Sequence, residues 1–341
     1  MSQGVLEQRK SDHIRINLEQ DVSSRLTTGL EKLRFTHQAL PELDMGAIDT
    51  TLQVCGKRLN GPLLISCMTG GTEEALRINR NLATAAQRAG VAMGLGSMRA
   101  AVVRPETAHT FQVRDVAPDI VLFANIGAVQ LNYGFSHAQC RQAVDLAGAD
   151  ALVLHLNPLQ EALQPEGDVN WADLLRKIEA LVNDMPVPVI AKEVGWGISP
   201  RAARQLAEAG VAWIDVAGAG GTSWSQVEMH RAKTDIQRRV AEAFVDWGIS
   251  TADSIRNVIA HAPGMPVIAS GGLKNGVDGA KCLALGATLF GMAGPFLRAA
   301  TVSDQAVQDE IEVVLRQLRV TMLCAGAGTL AAMRQVELIQ P

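Results

Sequence analysis

The sequence of 341 residues lacks several features that would assign a protein to a class at once. It has 31 Lys and Arg against 35 Asp and Glu, a net charge of −4, so no nucleic-acid-binding surface is expected. No apolar run is long enough to span a bilayer, and the first residues, MSQGVLEQRKSDHI, have no apolar segment typical of a signal peptide. Five cysteines, an odd number without a CxxC pair, are expected to be reduced thiols of a cytoplasmic protein.

What the sequence does contain is eight short apolar runs that are introduced by two alternating signals. Four runs follow a proline, at positions 62, 118, 188 and 266, and four follow a glycine that ends a helical pattern, at positions 90, 148, 210 and 286. The runs are rich in Val, Ile and Leu and lack period-2 alternation, which is typical of parallel strands buried on both faces. With helical stretches between them they predict an α/β fold, a (β/α)8 TIM barrel.

The chain is longer than the roughly 250 residues of a plain barrel. The additional residues lie at 1–60, before the first strand, and at about 217–250, between the sixth strand and its helix. We therefore predict a single domain overall, with an N-terminal extension over residues 1–60, a barrel over residues 61–341 and an insertion after strand six. Barrels of this kind place their chemistry in the loops that follow the strands.

The loops after the first three strands carry signals that each allow two interpretations. CMTGGT (67–72) has two glycines that would let a ligand approach the backbone, or it is an ordinary turn. GLGSMR (94–99) ends in an arginine that could bind a phosphate or lie on the surface. Asn125 after strand three could bond to the edge of a heterocycle or cap the next turn.

The loops after strands four and five favour a functional site. Alternation places His155 and Asn157 on one side of strand four, and Gln160 and Glu161 follow on the loop. A lone carboxylate can hold Mg²⁺ when substrate phosphates and waters complete the shell. Lys192 directly ends the buried run PVPVIA and therefore needs an anionic partner, whether for Schiff-base chemistry or for stabilising an anion.

The last three loops are rich in glycine. GAGGTSW (218–224) after strand six is either a donor-rich loop or a mobile linker into the insertion, whereas SGGLK (270–274) and GMAGPF (291–296) follow strands seven and eight. Glycine-rich loops at the last two strands are the recurrent phosphate site of TIM barrels. A phosphate there, Asn125 and Lys192 together fit a flavin mononucleotide (FMN) lying across the barrel mouth.

On these residues the chain resembles the type 2, flavin-dependent isopentenyl-diphosphate delta-isomerases. The matching stretches span residues 9 to about 300 in the order of that family, and HLNPLQE and the N-terminal RKSDHI separate it best from other flavin barrels. They are RKSDHI (9–14), MTGGT (68–72), GLGSMR (94–99), NIGA (125–128), HLNPLQE (155–161), KEVGWGIS (192–199), GAGGTSW (218–224) and SGGLKNGVDGAKCLALGA (270–287).

The resemblance implies a redox-neutral reaction, the interconversion of isopentenyl and dimethylallyl diphosphate through reduced FMN in isoprenoid biosynthesis. It implies FMN, Mg²⁺ and NADPH as a reductant of the flavin, a small diphosphate substrate, and a homotetramer or larger homo-oligomer. The N-terminal extension, with two cations near its start, would close over the diphosphate as a lid.

The same resemblance implies a role for particular residues of this sequence. Catalysis is expected from Gln160, His155 and Lys192, and metal binding from Glu161. The substrate-binding residues would be Arg9, Lys10, His13, Ser97, Met98, Arg99, His155, Asn157 and Gln160. The FMN-binding residues would be Cys67, Met68, Thr69, Ser97, Asn125, Lys192, Thr222, Gly271, Gly272, Leu273, Ala293 and Gly294.

Two positions depart from the family pattern, and the loop sequences also bear on three alternative functions. Ala217 stands where the family usually has Ser, and Ser250 where Pro is usual. An FMN-dependent α-hydroxy-acid oxidase would need a His base and an Arg clamp near strands six and seven, where VAGAGGTS and ASGGLK have neither. A nucleotide dehydrogenase would need a nucleophilic Cys, which GAGGTSWS lacks, and a non-catalytic phosphate-binding barrel would not need Lys192, Gln160 and Glu161 together.

Overall fold

The computed structural model describes the backbone of residues 3–340 and the side chains of residues 10–340. Before the first barrel strand the chain forms the helix α1 (Gln3–Glu19), the short strand β1 (Arg34–Phe35) and a hairpin of β2 (Leu52–Val54) and β3 (Lys57–Leu59). These elements correspond to the predicted N-terminal extension.

All eight predicted barrel strands are present. Barrel strands one to eight are, in order, β4 (Leu63–Ile65), β5 (Ala92–Gly94), β6 (Leu122–Gly127), β7 (Ala151–Leu156), β8 (Val189–Glu193), β9 (Trp213–Asp215), β10 (Val267–Ala269) and β11 (Leu289–Met292). Each strand pairs in parallel with the next along the chain, and β11 pairs with β4, so the sheet closes. The predicted (β/α)8 barrel is confirmed.

Helices follow the strands, and none of the described ones is both long and apolar enough to cross a membrane. They are α2 (Glu73–Ala89), α3 (Arg99–Val103), α4 (His137–Ala147), α5 (Pro158–Leu163), α6 (Leu174–Asp184), α7 (Pro200–Glu208), α8 (Trp224–Arg231), α9 (Asp235–Glu242), α10 (Thr251–His261), α11 (Gly276–Ala284), α12 (Gly294–Val302), α13 (Asp304–Cys324) and α14 (Leu330–Met333). A last strand, β12 (Leu338–Ile339), pairs with β1.

Two strand–helix units depart from the simple pattern. The second has only the five-residue helix α3, which ends at Val103 because Pro105 disfavours a helical conformation in the residue before it, Arg104. The sixth has two helices, α8 and α9, before its regular helix α10, so the insertion lies where the sequence predicted it.

Polar and apolar residues do not alternate along the barrel strands because both faces of each strand pack against apolar side chains. In β4, Leu63 and Ile65 pack among the surrounding helices, whereas Leu64 belongs to a separate cluster inside the barrel. The interior cluster also contains Phe123 and Ile190 from β6 and β8. Both faces of each strand are therefore apolar over the lower part of the barrel.

The hairpin β2–β3 closes the N-terminal end of the barrel. Its side chains Val54 and Leu59 are buried in the interior cluster. Lys57 in the hairpin pairs with Asp150, 2.8 Å away and directly before β7, and Asp150 also accepts a hydrogen bond from Arg114 at 2.8 Å. This leaves the opposite end, the carboxyl ends of the strands, as the place for a site.

Candidate active site

The interior of the barrel changes from apolar to polar over two residues at the carboxyl ends of the strands. Because alternate residues share a face, the residue two positions after an interior apolar side chain also points inward. Phe123 in β6 is followed in this way by Asn125, and Ile190 in β8 by Lys192. The same relation gives a ring of inward-pointing side chains, here called the polar layer: Ser66, Asn125, His155, Lys192, Asp215 and Ser270.

Three members of the polar layer form a buried chain of contacts across neighbouring strands. Lys192 Nζ lies 3.1 Å from Asp215 Oδ2 and donates to the carbonyl of Glu193 at 3.0 Å. Asp215 Oδ1 accepts from Ser270 Oγ at 2.6 Å and from the backbone N–H of Ala217 at 3.3 Å. The anionic partner that a buried lysine requires is therefore Asp215, a residue to which the sequence analysis gave no role.

On the other side of the layer His155 and Asn125 orient each other. His155 Nδ1 lies 2.7 Å from Asn125 Oδ1, and Gly127 leaves the space that the imidazole occupies. Cys67 lies next to this pair, and burial raises the pKa of its thiol to about 11 against smaller opposing effects of Lys192 and Asn125. Cys67 is thus a neutral thiol, which can line a cofactor pocket but is no nucleophile.

The side chains that follow strand four, Asn157, Gln160 and Glu161, form a second buried group, here called the strand-four cluster. Asn157 Nδ2 donates to Gln160 Oε1 at 3.1 Å and to Glu161 Oε1 at 3.0 Å. Asn157 Oδ1 is buried without a protein hydrogen-bond partner, which in a native site points to a bound water, ion or ligand. The predicted residues after strand four are therefore brought together.

Glu228 on the insertion helix α8 joins this cluster to the N-terminal extension. Its Oε1 lies 3.4 Å from Gln160 Nε2 and 3.2 Å from His13 Nε2, and its Oε2 accepts from Arg231. Burial pushes the pKa of Glu228 upward, but hydrogen bonds and charge from His13 and Arg231 outweigh burial and leave the pKa below its ordinary value. Glu228 is thus a buried carboxylate of this site, and the sequence analysis did not predict it.

Two of the predicted diphosphate cations, Arg99 and Lys10, form contacts within the described chain. Arg99 pairs with Asp168 Oδ2 at 2.8 Å, and the backbone N–H of Asp168 donates to Glu161 Oε2 at 2.7 Å. Lys10 on α1 donates to the carbonyls of Gly70 and Ser97, which belong to the loops after strands one and two. Helix α1 thus reaches these loops, while the side chain of Arg9 lies outside the residues whose side chains are described.

Thr222, a predicted FMN contact, lies where the N-terminal extension crosses the loop after strand six. Thr222 forms a β-bridge with Ser23, and its hydroxyl lies 3.4 Å from Asn17 Oδ1. The backbone N–H of Ser24 donates to the Gly221 carbonyl at 2.8 Å. Hydrogen bonds to the extension therefore fix the position of this loop, which is not a free linker.

The glycines of the phosphate-site prediction differ in their surroundings. Gly271 and Gly272 have φ of 104° and 76°, and a Cβ atom on either would collide with the backbone of the loop after strand six, at Gly218 and Gly220. A Cβ atom on Gly294 would have Arg298 Nη1, 3.8 Å away, as its nearest neighbour. Gly271 and Gly272 thus allow two loops to pack together, whereas the start of α12 at Gly294 is open to a ligand.

The other predicted cofactor and substrate residues lie in the same loops. Leu273 and Thr69 are buried, Ala293 precedes α12, and Met68 is half-buried. Met98 is fully buried in the larger core, and its backbone N–H donates to the Asn125 carbonyl at 2.7 Å. Its side chain therefore acts through packing in the structure.

Glu193, next to Lys192, organises the turn that leaves β8. Its Oε2 accepts hydrogen bonds from the backbone N–H groups of Val194, Gly195 and Trp196 at 2.6, 2.7 and 2.5 Å. Burial raises the pKa of Glu193 to about 7 in spite of these donors. The carboxylate faces the turn and forms no ion pair with Lys192 in the described part of the chain.

No preformed metal cage is found among the residues that the structure describes. No three His, Cys, Asp or Glu side chains there are grouped in a way that could hold a metal ion. A metal at Glu161 would therefore need ligands from substrate and water, as the sequence analysis anticipated.

The residues that sequence reasoning missed had different signals. Alternation from Ile268 and from Trp213 predicts that Ser270 and Asp215 point inward, so both could have been found by the rule that located His155. Glu228 had no such signal, because it lies in an insertion about 70 residues from Gln160 whose path no periodicity predicts.

Comparison with known proteins agrees with this geometry. The family model described as FMN-dependent dehydrogenase matches residues 129–340. Among curated proteins, the isopentenyl-diphosphate delta-isomerase of Rickettsia bellii (strain RML369-C) is 55% identical over 330 residues, covering 97% of this chain and 96% of the relative. The protein of the same name from Rickettsia prowazekii (strain Madrid E) is 52% identical over 332 residues, covering 97% of both.

Solved structures show the same fold at much lower identity. A mandelate oxidase variant with benzaldehyde aligns with a TM-score of 0.69 at 20% identity, covering 99% of this chain and 98% of the other. Mandelate oxidase with (S)-2-phenylpropionate gives a TM-score of 0.67 at 20% identity, covering 99% and 98%. These neighbours show the fold alone, whereas the curated relatives show that this chain, a FMN-dependent TIM barrel, belongs to the isopentenyl-diphosphate delta-isomerase family.

Proposed function

We propose that this chain interconverts isopentenyl and dimethylallyl diphosphate by a 1,3-shift of the double bond, with reduced FMN at the barrel mouth. The observation that carries the proposal is the strand-four cluster, a buried group of amide and carboxylate side chains directly beside the polar layer that contains Lys192. Relatives named for this reaction, at 52–55% identity over nearly the whole chain, support it.

The residues present fit FMN at two places. Helix α12 has nine residues and begins at Gly294, where an approaching phosphate meets open backbone and the positive end of the helix. Lys192 ends in three N–H donors, of which two are directed to Asp215 and Glu193 within the described chain. Bound FMN in its reduced form would supply a proton donor and acceptor beside the double bond.

The remaining predicted FMN residues would line the space between these two places. Asn125 would face the ring edge with its carboxamide, and Cys67 would contribute a neutral, compact surface. The packed glycines of strand seven would fix the loop on which the phosphate rests. Together they would orient the cofactor and exclude water from its reacting face.

The diphosphate would be bound by the cations around the mouth. Lys10 reaches the loops after strands one and two, and Arg99 lies at the start of α3. We propose that the diphosphate takes over Arg99 from Asp168, because a doubly charged group attracts a guanidinium more strongly than one carboxylate. His13 and the cationic Arg9 of the same helix would complete this surface as the lid closes.

Mg²⁺ would be bound by Glu161 together with diphosphate oxygens and waters. A single protein carboxylate suffices when the substrate brings its own oxygen ligands, because Mg²⁺ prefers an octahedral shell of oxygens and keeps several waters. Asn157 and the backbone of Asp168 hold the Glu161 carboxylate in one orientation.

His155, at the end of strand four, and Gln160, on the loop that follows it, would both act on the substrate. Asn125 orients the His155 imidazole, and Asn157 and Glu228 lie at the two ends of the Gln160 carboxamide. Both side chains are thereby held in fixed rotamers, which is what positioning an uncharged alkene requires. We further propose NADPH as the reductant, a homotetramer or larger assembly, and a cytoplasmic location, on the family resemblance.

The test is to reduce the purified protein with dithionite under anaerobic conditions and to follow isopentenyl diphosphate by NMR. We expect a flavin absorption before reduction, dimethylallyl diphosphate after it, and no product from the oxidised protein. A colourless protein, or product formation that is independent of reduction, would contradict the proposal.

No second function is proposed. The loops after strands six and seven, residues 216–224 and 269–275, contain neither His nor Arg, so they lack the base and the carboxylate clamp of an α-hydroxy-acid oxidase.

A further inference from the structure

The Lys192–Asp215 pair is the most deeply buried ion pair of the barrel mouth. Asp215 is 1% exposed and Lys192 8%, and the two lie opposite each other in the register of β8 and β9. Ser270 from β10 completes a chain that runs across three neighbouring strands. Every oxygen of Asp215 is thus engaged, and the carboxylate is held in one position.

A contribution to the stability of the folded chain does not explain why this ion pair is present. Replacing a buried ion pair by apolar side chains of similar volume is often neutral or stabilising, and the same barrel interior is filled by Phe123, Ile190 and Ile268 two residues below. The charges instead lie at the level of the layer that faces the mouth, and Lys192 has a donor directed to neither protein partner.

We propose that Asp215 is a positioning residue that holds the Lys192 ammonium and offsets its charge, and so sets the balance between oxidised and reduced FMN. The inference rests on the proposed function, since it needs FMN beside Lys192. Asp215 would act through Lys192 and would not itself touch the cofactor.

The physical basis is the net charge beside the flavin ring. The pair is neutral, and two-electron reduction to the anionic form of FMN adds one negative charge next to it. Asp215→Asn leaves Lys192 uncompensated, so the site favours the reduced anion. Lys192→Gln leaves a bare carboxylate, so the site disfavours it. The other ionisable groups near the pair are Cys67, His155 and Glu193. Within the described chain none of them forms an ion pair with Lys192, although the Lys192 charge has a lowering effect on the pKa of Cys67 and of Glu193.

The experiment measures the two-electron midpoint potential of bound FMN at pH 8.5 by dithionite titration with a reference dye. For Asp215→Asn we expect a shift toward a less negative potential that corresponds to about tenfold in the ratio of reduced to oxidised flavin, about 30 mV. For Lys192→Gln we expect a shift in the opposite direction of at least that size. In the double variant we expect a return to within threefold of the wild type.

Glu193→Gln is the matched control, because it removes a carboxylate of similar burial at the same strand end that accepts from the backbone N–H groups of the turn and is not paired with the Lys192 ammonium, whose charge is the smallest of the effects on the pKa of Glu193. We expect its shift to stay below threefold. A shift below threefold in Asp215→Asn, or one equal to that of Glu193→Gln, would overturn the inference.

If Asp215→Asn does not fold, the double variant decides: a potential equal to that of Lys192→Gln alone would overturn it. A wild-type protein that binds no FMN would instead refute the proposed function.

Discussion

At the N-terminal end of the barrel strands, here called the lower end, the hairpin β2–β3 places Val54 and Leu59 among apolar side chains. The charged side chains of Lys57 and Asp150 lie at the edge of this apolar cluster. At the mouth the same interior contains charged and amide side chains that are as deeply buried. Burying polar groups costs free energy unless each is well paired, so the lower end follows the requirements of folding. The mouth departs from them, which is expected where a ligand supplies the missing partners.

The largest expected effect comes from Gly272, where packing of two mouth loops depends on a missing side chain. In Gly272→Val the new Cβ would strike the Gly220 backbone at a φ of 76° that valine rarely adopts, so we expect about 3 kcal/mol or more of destabilisation and loss of FMN. Thermal unfolding and flavin content measure both. In the control Gly294→Ala the added atom has space, so stability should change little while FMN affinity falls. Full FMN content in Gly272→Val would contradict the loop assignment.

Glu161→Gln sharpens the comparison because it removes a charge from the mouth without removing volume. We expect the Mg²⁺ and substrate concentrations needed for half-maximal turnover to rise about tenfold, since the metal loses its charged protein ligand. FMN content should stay near that of the wild type. Lys192→Gln should show the reverse order, with the flavin disturbed before the Mg²⁺ requirement. An unchanged Mg²⁺ requirement in Glu161→Gln would exclude Glu161 as a ligand.

Glu193 gives the mouth a pH dependence of stability. Burial raises its pKa in the folded chain to about 7, above the ordinary value of 4.5, so the folded state binds the proton more tightly than the unfolded state. This contribution to stability is fully present below about pH 4.5 and is lost as the pH rises through about 7, at most about 3 kcal/mol. Urea unfolding of Glu193→Gln at several pH values should lack this loss. Parallel pH profiles of variant and wild type would disprove it.

The smallest effect on FMN and substrate binding is expected from a change at the lower end, Asp150→Asn. Asp150 accepts hydrogen bonds from Lys57, Arg114 and the backbone N–H of Leu122, so the variant should lose about 2 kcal/mol of stability. FMN content and the substrate KM should not change, because no mouth residue contacts this cluster in the described chain. A change in FMN content would mean that the two ends are coupled.

The barrel was predictable because a proline or glycine precedes each of its eight strands and because a continuous apolar run is a sufficient signal for a strand buried on both faces. His155, Lys192 and Asn125 were predictable for the same reason, since they end such runs. The second strand–helix unit was not predicted in detail, because Pro105 stops α3 after one turn.

The site was harder to predict where its contacts join distant segments. The sequence predicted Gly271 and Gly272 as phosphate-binding glycines but not that they pack against the loop after strand six, because that contact depends on how the two loops lie in the folded chain. Glu228 reaches Gln160 and His13 only through the folded path of the insertion, and the pairing of Arg99 with Asp168 joins the loops after strands two and four. Contacts of this kind depend on tertiary structure and leave no periodic signal in a single sequence.

The most direct test of the central claim counts turnovers for each reducing equivalent. The protein is loaded with FMN and Mg²⁺, reduced anaerobically with one equivalent of NADPH per flavin, and given a large excess of isopentenyl diphosphate. Because moving a double bond changes no oxidation state, we predict many molecules of dimethylallyl diphosphate per flavin with no further NADPH oxidation. One NADPH oxidised for each product molecule would contradict the assignment of this site as an isomerase.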